Sequence, residues 1–389
     1  MSCDILVLGA DGQQGILSTL FLLSRGYKIA CSDIYQETFR KETRGSSVPF
    51  SFCDHRDTGQ IIKLLRRFRP KMVLNCANDF YNENVCDALL SERVSCVDFG
   101  TDIARTQSRL GRFNDFKKAG LTLIMGCGSV PGIGSVMMRH LSGMFERMDS
   151  AEAGFAWNSN EPDFVPPFFL YVVTLELSQP VAVMSGGKMQ LLPPLHSRRT
   201  QEFPMIGEQV VYMVSHSEVF SFHHYFEHLG LKNVRFFAGF PAHSRSVIDA
   251  LIKLRLNQEE PLTVATETGR VSITPCDFLT AAAKKIETPA GYEESEVLWA
   301  SVEGVRRGDT EPQIYQMTCL VPPLKGWERF GCNVDTAFPG CIISEMILRG
   351  EIADRGVFCP EGIVPTRPFF SKMRGCGFRF LLNGQPFAA

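Results

Sequence analysis

A chain of 389 residues is too long for one typical domain and should divide into about two. Its 44% hydrophobic residues can bury large cores, while a net charge of −2 with both signs intermixed offers no basic face to nucleic acid. No apolar run reaches the ~18 residues that a membrane span needs and no basic-then-apolar leader precedes the first strand. The cysteines are therefore expected to be reduced thiols of a cytoplasmic protein whose partners are small molecules.

The first apolar run, 5–8, reads as a buried parallel strand, followed by the turn GADGQQG and an apolar-periodic helix over 16–23. Gly9, Gly12 and Gly15 have the spacing of a dinucleotide turn. Gly9 allows the sharp bend, Gly12 lets a pyrophosphate approach the backbone, and Gly15 lets helix and strand pack closely. The turn residues Gly9, Asp11, Gly12, Gln13, Gln14 and Gly15 form the expected phosphate cradle, on the positive end of the helix dipole. A second strand, 27–32, ends at Asp33, where a carboxylate accepts ribose hydroxyls and repels a 2′-phosphate, so NAD is expected over NADP.

Strand and helix then alternate: strand 48–53, helix 58–68 stopped at Pro70, strand 71–77, helix 82–91, strand 95–99, helix 105–118 closed by Gly120, strand 121–125. Such alternation builds an α/β doubly wound parallel sheet, a Rossmann-type domain over 1–127. Ligands lie at the carboxyl ends of its strands, which nominates Asp54, Asn75, Ala77, Asn78, Asp98 and Gly100 for the cofactor. Each is also an ordinary turn residue type. Cys31, Cys53, Cys76 and Cys96 fall inside apolar strands as small hydrophobes, and no CxxC pair is present.

Beyond Ser135 the pattern becomes α+β, predicting a mixed or antiparallel sheet over 128–340. It opens with a helix, 133–144. Strands are expected at 151–157, 181–184, 189–192 and 233–238, with a tight turn at Gly186-Gly187. Helices follow at 244–256 and 275–286, the second capped by Thr274 with Pro275 and Asp277 in its first turn. Strands 296–305 and 313–321 make a hairpin, and a last helix runs over 340–348.

Several segments together resemble the saccharopine dehydrogenase-like family of amino-acid oxidoreductases, which includes saccharopine reductases, lysine 6-dehydrogenases and carboxynorspermidine dehydrogenases. They are LVLGADGQQG with Asp33, SCVDFGTD, GLTLIMGCGSVPGIGS, QPVAVMSGGK, SHSEVFSF and TAFPGCIISEMILRGEIADRGVFCPEG. The resemblance implies NAD(P)-dependent hydride exchange at a C–N bond of an amino acid. It also implies a homodimer, and a C-terminal stretch, 341–389, that returns to the first domain. Pro131 and Gly132 in its glycine-rich segment, and Glu176 before its Pro-Val segment, are then expected to border substrate. Asn78 stands where some members have proline, and 164–174 is unusually aromatic, so free lysine, a saccharopine-like adduct, a polyamine adduct and a hydrophobic substrate all remain open.

Hydride exchange with an amine requires a proton acceptor, for which Asp102 and His216 are the candidates, each with a bland alternative as helix cap or wall residue. The substrate carboxylate requires a cation, and Arg139, Arg198, Arg199 and Arg245 are open. His224-Tyr225-Phe226-Glu227-His228 matches H-x-x-E-H, which on a helix would place two histidines on one face. No third ligand accompanies it, so no metal is expected. A non-catalytic nucleotide-binding scaffold of the same fold is the remaining alternative.

Overall fold

The computed structural model describes residues 2–44, 46–166, 170–267, 269–283 and 285–388. The N-terminal half alternates as β1 (Ile5–Leu8), α1 (Gln13–Ser24), β2 (Ile29–Asp33), α2 (Glu37–Glu42), β3 (Phe50–Phe52), α3 (Thr58–Phe68), β4 (Met72–Asn75), α4 (Asn82–Glu92), β5 (Ser95–Asp98), α5 (Ile103–Leu110), α6 (Phe113–Ala119) and β6 (Thr122–Ile124). Helix α3 shows how the sequence sets these bounds. Asp57 caps it by accepting from the amides of Gly59 and Gln60, Ile61, Leu64, Leu65 and Phe68 make its buried stripe, and Arg69 ends it in the left-handed region before Pro70. The helix expected over 105–118 is two helices, because the chain breaks at Gly111 and Arg112.

The chain continues as α7 (Ile133–Ser142), β7 (Phe145–Ser159), α8 (Leu170–Glu176), β8 (Val181–Ser185), β9 (Lys188–Leu192), β10 (Arg198–Phe203), β11 (Gly207–Met213), α9 (Glu218–Phe226), β12 (Asn233–Gly239), α10 (Ala242–Lys253), β13 (Leu262–Thr266), β14 (Gly269–Ile273), α11 (Pro275–Ala283), β15 (Glu294–Arg306) and β16 (Gln313–Val321). After a 3-10 segment, Glu328–Asn333, come α12 (Val334–Leu348), β17 (Gly356–Phe358), α13 (Pro360–Ile363), α14 (Thr366–Gly375), β18 (Arg379–Leu382) and β19 (Gln385–Pro386). Several elements had no expected counterpart. In the second sheet they include the hairpin β10–β11, whose outer strand alternates exposed and half-buried polar residues, the small hairpin β13–β14 and the aromatic helix α9; α2, α8 and the elements after α12 were also not expected.

The first sheet is parallel in the order β3-β2-β1-β4-β5-β6-β17, so order reverses between β1 and β4. The second is mixed, in the order β10-β11-β12-β7-β15-β16-β18-β19 with β8 and β9 branching from β12. The fold is thus a Rossmann-type parallel sheet with a mixed second sheet, as expected. The C-terminal stretch serves both: β17 pairs with β6 and β18 pairs with β16. Helix α12 starts six residues before the expected 340 and carries Pro339 within it. It lies along α1, where Phe338 stacks on Phe21 and the Glu345 carboxylate pairs with Arg25. One continuous apolar core joins Ile5, Val7 and Ile16 of the first sheet and its helix to Phe155, Phe236 and Leu298 of the second.

Candidate active site

Two glycines make the turn after β1 possible. Gly9 adopts φ +72 with its Cβ direction 2.6 Å from the Ala77 amide nitrogen, and a Cβ on Gly15 would sit 2.1 Å from the Gly9 carbonyl oxygen. Gly12 begins α1 without a side-chain cap, and Gln13 and Gln14 open a first turn that holds no acidic residue. Its free amides and dipole therefore face outward for an anion. Asp33 is fixed beside them: Oδ2 accepts from the Asp11 amide at 3.0 Å and Oδ1 from the Ile34 amide at 2.6 Å, while Asp11 Oδ1 accepts from the Phe39 amide at 2.6 Å. Oδ2 keeps an acceptor position for a ribose hydroxyl. These residues fit a dinucleotide: a glycine cradle that a Cβ would fill, an uncapped helix start, and an oriented carboxylate at the end of β2.

Other nominated residues hold the strand ends in shape. Asn75 is buried, donates to Asn82 Oδ1 at 2.7 Å and accepts from the Ala77 amide at 3.1 Å. Asp98 is buried too, with Oδ1 on the Gly100 amide and Oδ2 paired to Arg109, whose other arm reaches Asp79. Asn78 caps the turn at Phe80, and Asp54 turns to Arg56, whose guanidinium holds its carboxyl down at about 2. Asp102 caps α5, accepting from the Arg105 amide at 2.8 Å.

At the carboxyl ends of β5 and β6 a narrow void, too tight in the free protein to admit a water molecule, is lined by Gly100, Thr106, Met125, Gly126 and Pro131 from one side, and by Ser217, Ser221 and Cys359 from the other. Gly132 follows Pro131 directly, and a Cβ on it would overlap the Gly128 carbonyl. A larger hollow near Ser2, Lys28 and Pro49 opens at the opposite, amino ends of β1 and β2, away from this chemistry.

The second sheet presents one face toward these strand ends. In β12, Phe236 and Ala238 share that face; Ala238 is level with Tyr212 of β11 and Phe155 of β7, and one row on, Trp157 is level with Glu296. The His216 ring stacks on Phe236 at 4.1 Å, and the Arg245 guanidinium lies 4.2 Å over Tyr212. Neighbouring rows of one face therefore carry a histidine and an arginine. Arg245 is 8% exposed; Nη2 bonds Asp249 at 2.6 Å, while Nε and Nη1 are buried without a partner among the described residues. Of the four candidate arginines, Arg139 donates to the Glu361 carbonyl, Arg199 pairs with Glu152, and Arg198 lies in the exposed outer strand. Only Arg245 combines burial with open donors.

Carboxylates gather near His216. Its Nδ1 is hydrogen-bonded to Glu218, which is fully buried with Oε1 unpartnered among the described residues. Burial opposes the charged imidazole, but Glu218 and then Glu176 outweigh it, so the ring holds its proton above the usual histidine range. Burial pushes Glu176 up to about 7, with His216 opposing and Glu218 adding, and its Oε2 is unpartnered among the described residues. Burial also pushes Glu361 up to about 7, the Ser221 and Ser135 hydroxyls working the other way. Glu218, Glu361 and Glu296 were absent from the sequence reading; their signal is an acid inside apolar runs such as EVLWASV and FCPEGIV.

The H-x-x-E-H stretch does not present its histidines together. Helix α9 ends at Phe226 and a 3-10 turn carries Glu227 and His228, so the i, i+4 face is broken; His223 Nδ1 meets the Leu231 carbonyl and His224 stacks on Phe220. Among the described residues no group of three or more His, Cys, Asp or Glu is arranged to hold a metal ion, and no helix is long and apolar enough to cross a membrane. In the aromatic stretch 164–174, residues 167–169 lie outside the described residues.

A parallel sheet of this order, with an open glycine turn and an acid ending its second strand, defines a dinucleotide-fold protein carrying a second, mixed-sheet unit. The chain belongs to the saccharopine dehydrogenase-like oxidoreductase family, the saccharopine dehydrogenase C-terminal domain matching residues 128–378. Carboxynorspermidine synthase from Vibrio alginolyticus is 25% identical over 351 residues, covering 85% of this chain and 82% of that one. Carboxyaminopropylagmatine dehydrogenase from a Synechocystis species is 25% identical over 341 residues, covering 83% and 82%. The apo saccharopine dehydrogenase (L-Glu forming) from Saccharomyces cerevisiae has the same fold, with a TM-score of 0.71 at 14% identity over 98% of this chain and 99% of that one.

Proposed function

We propose that this protein is a nicotinamide-dependent oxidoreductase acting on the C–N bond of an adduct between an amino acid and an amine, with NAD preferred to NADP. The observation that carries this reading is Arg245, with two unpartnered donors on the sheet face that also holds His216 and its carboxylates. A substrate with carboxylate and amine groups answers both sets at once. The relatives' names, carboxynorspermidine synthase and carboxyaminopropylagmatine dehydrogenase, favour a polyamine-type adduct over free lysine. A non-catalytic scaffold would keep the nucleotide crevice but would have no use for a buried, half-paired arginine.

When bound, the nicotinamide supplies the hydride acceptor or donor. The chain's own residues do the rest. The amides of the first turn of α1 hold the pyrophosphate and Asp33 holds the adenosine ribose. Arg245 grips the substrate carboxylate with a planar fork. Glu218 and Glu176 face the amine end, and Gly100, Gly126 and Pro131 wall the reacting carbon from water.

The test is absorbance in the reduced-nicotinamide band while NAD or NADP is offered with lysine, saccharopine and polyamine adducts. A signal with NAD and a polyamine adduct is expected; nucleotide binding with no turnover of any of them would favour the scaffold. Asp33→Ala should relax the preference toward NADP by roughly tenfold or more, through loss of one charge-assisted hydrogen bond and of the repulsion. Comparing kcat/KM for the two cofactors checks it, and an unchanged ratio counts against Asp33.

A further inference from the structure

A second set of buried acids lies at the seam between the two sheets, on the side of α1. Glu296 of β15 and Asp335 in the first turn of α12 face each other at 7% and 2% exposure. Asp335 Oδ2 is buried without a geometric partner among the described residues, and Oδ1 accepts from the Thr336 hydroxyl at 3.2 Å. Thr336 also lies 3.4 Å from the hydroxyl of Ser129, three residues before Gly132 in the loop that lines the void beside the strand ends. One residue before α12, Asn333 accepts from the side chain of Gln14 in the phosphate-facing turn of α1. A line of hydroxyls thus runs from the crevice to a pair of acids that the interior shields.

We propose that Glu296 and Asp335 form a proton-holding pair that exchanges the substrate amine's proton through the hydroxyls of Thr336 and Ser129. This rests on the oxidoreductase reading above. In the oxidising direction the hydride leaves carbon for the nicotinamide and the amine nitrogen forms the C=N bond. One N–H proton passes to Ser129 Oγ, a hydroxyl proton passes from Ser129 to Thr336, and Thr336 gives its own to the Asp335 carboxylate. Each hydroxyl ends with the proton count it began with. The 3.4 Å step is long in the free protein, as catalytic hydrogen bonds are before substrate tightens a site.

The surroundings suit a store. Among the described residues, Glu294 of β15, Cys332 of the 3-10 segment and Cys319 of β16 are the titratable groups that act on the pair, and no cation is among them. Glu294 is held apart by the Cys332 amide at 2.9 Å and the Tyr292 hydroxyl at 2.6 Å. Burial raises both acids above the ordinary carboxylate range, and the neighbouring Asp335 adds to the effect on Glu296. Asp335 is the member that the Thr336 hydroxyl reaches, and Glu296 acts through it as a positioning residue.

The test uses the intact chain in two readouts. Infrared spectra should show a carboxylic-acid C=O band that titrates above the ordinary carboxylate range, absent in Asp335→Asn and retained in Thr336→Val. Turnover in the oxidising direction should rise with pH as that band is lost in the natural protein, since Asp335 must be ionised to accept. Thr336→Val should lower kcat by on the order of 10²-fold with KM nearly unchanged, and Thr336→Ser should restore it. Absence of the titrating band, or turnover of Thr336→Val equal to the natural protein, overturns the relay. If the natural protein oxidises no amine adduct, the functional reading falls, and the band by itself still decides whether the pair holds the proton.

Discussion

Arg245→Met should raise KM for the carboxylate-bearing substrate roughly 100-fold or more, about 3 kcal/mol, while the affinity for NAD stays unchanged. The size follows from what the site leaves open. In the free protein Arg245 has one arm on Asp249 and its face on Tyr212, so Nε and Nη1 are donors without a partner among the described residues, in a buried place. A substrate carboxylate that enters without them is itself desolvated and unpaired, and most of the loss is that penalty. Arg245→Lys keeps the charge but not the planar fork, so it should recover only part of the affinity. Steady-state kinetics with the adduct, beside calorimetric titration with NAD, separate the two ligands. An unchanged KM for the adduct in Arg245→Met would remove this residue from the site.

How far the sequence disclosed this arrangement depends on which physical signal each part leaves. Periodicity and breaker residues marked the strands of the first sheet to within about two residues at each end, and α3 spans Thr58–Phe68 as its periodicity and the Pro70 stop require, although α2 and the break at Gly111 left no such signal. The glycine turn after β1 was equally legible, because Gly9 and Gly15 are places where a Cβ would collide with backbone. Strand-end polar residues were ambiguous in principle. Asn75 and Asp98 stand where ligands bind, yet their side chains tie Ala77 and Gly100 into place, and nothing in an Asx residue distinguishes the two uses before burial is known. The same holds for the choice among four arginines, which partners and burial decide and spacing does not. Glu296 and Asp335 come from segments far apart in the chain, so their approach is a property of the packed seam alone. Hairpin β10–β11 escaped because its outer strand is polar on both faces, which erases the two-residue alternation.

Arg109→Met should destabilise the protein by about 3–5 kcal/mol at neutral pH, the range for removing one partner of a buried ionic network. Arg109 is fully buried and bridges Asp98 and Asp79, so its loss strands two carboxylates close together. Burial already raises Asp79 with Arg109 in place, Arg109 being the main opposing influence. Without that cation the folded chain holds carboxyl protons to higher pH than the unfolded chain, whose carboxylates titrate near about 4. The native state then binds more protons than the unfolded state, so stability falls as pH rises. The deficit of Arg109→Met against the natural protein should therefore be smallest below about pH 5 and full above neutrality. Urea unfolding followed by tryptophan fluorescence at both pH values reads it, and a deficit independent of pH would show that packing, not stranded charge, is the cause. The site should suffer with the fold. Asp98 also accepts from the Gly100 and Gly126 amides, which line the void at the strand ends, so a repelled Asp98 loosens that wall. Adding Asp98→Asn to Arg109→Met removes one of the two stranded charges while keeping an acceptor for both amides. The double variant should recover a large share of the lost stability at neutral pH, and with it substrate affinity.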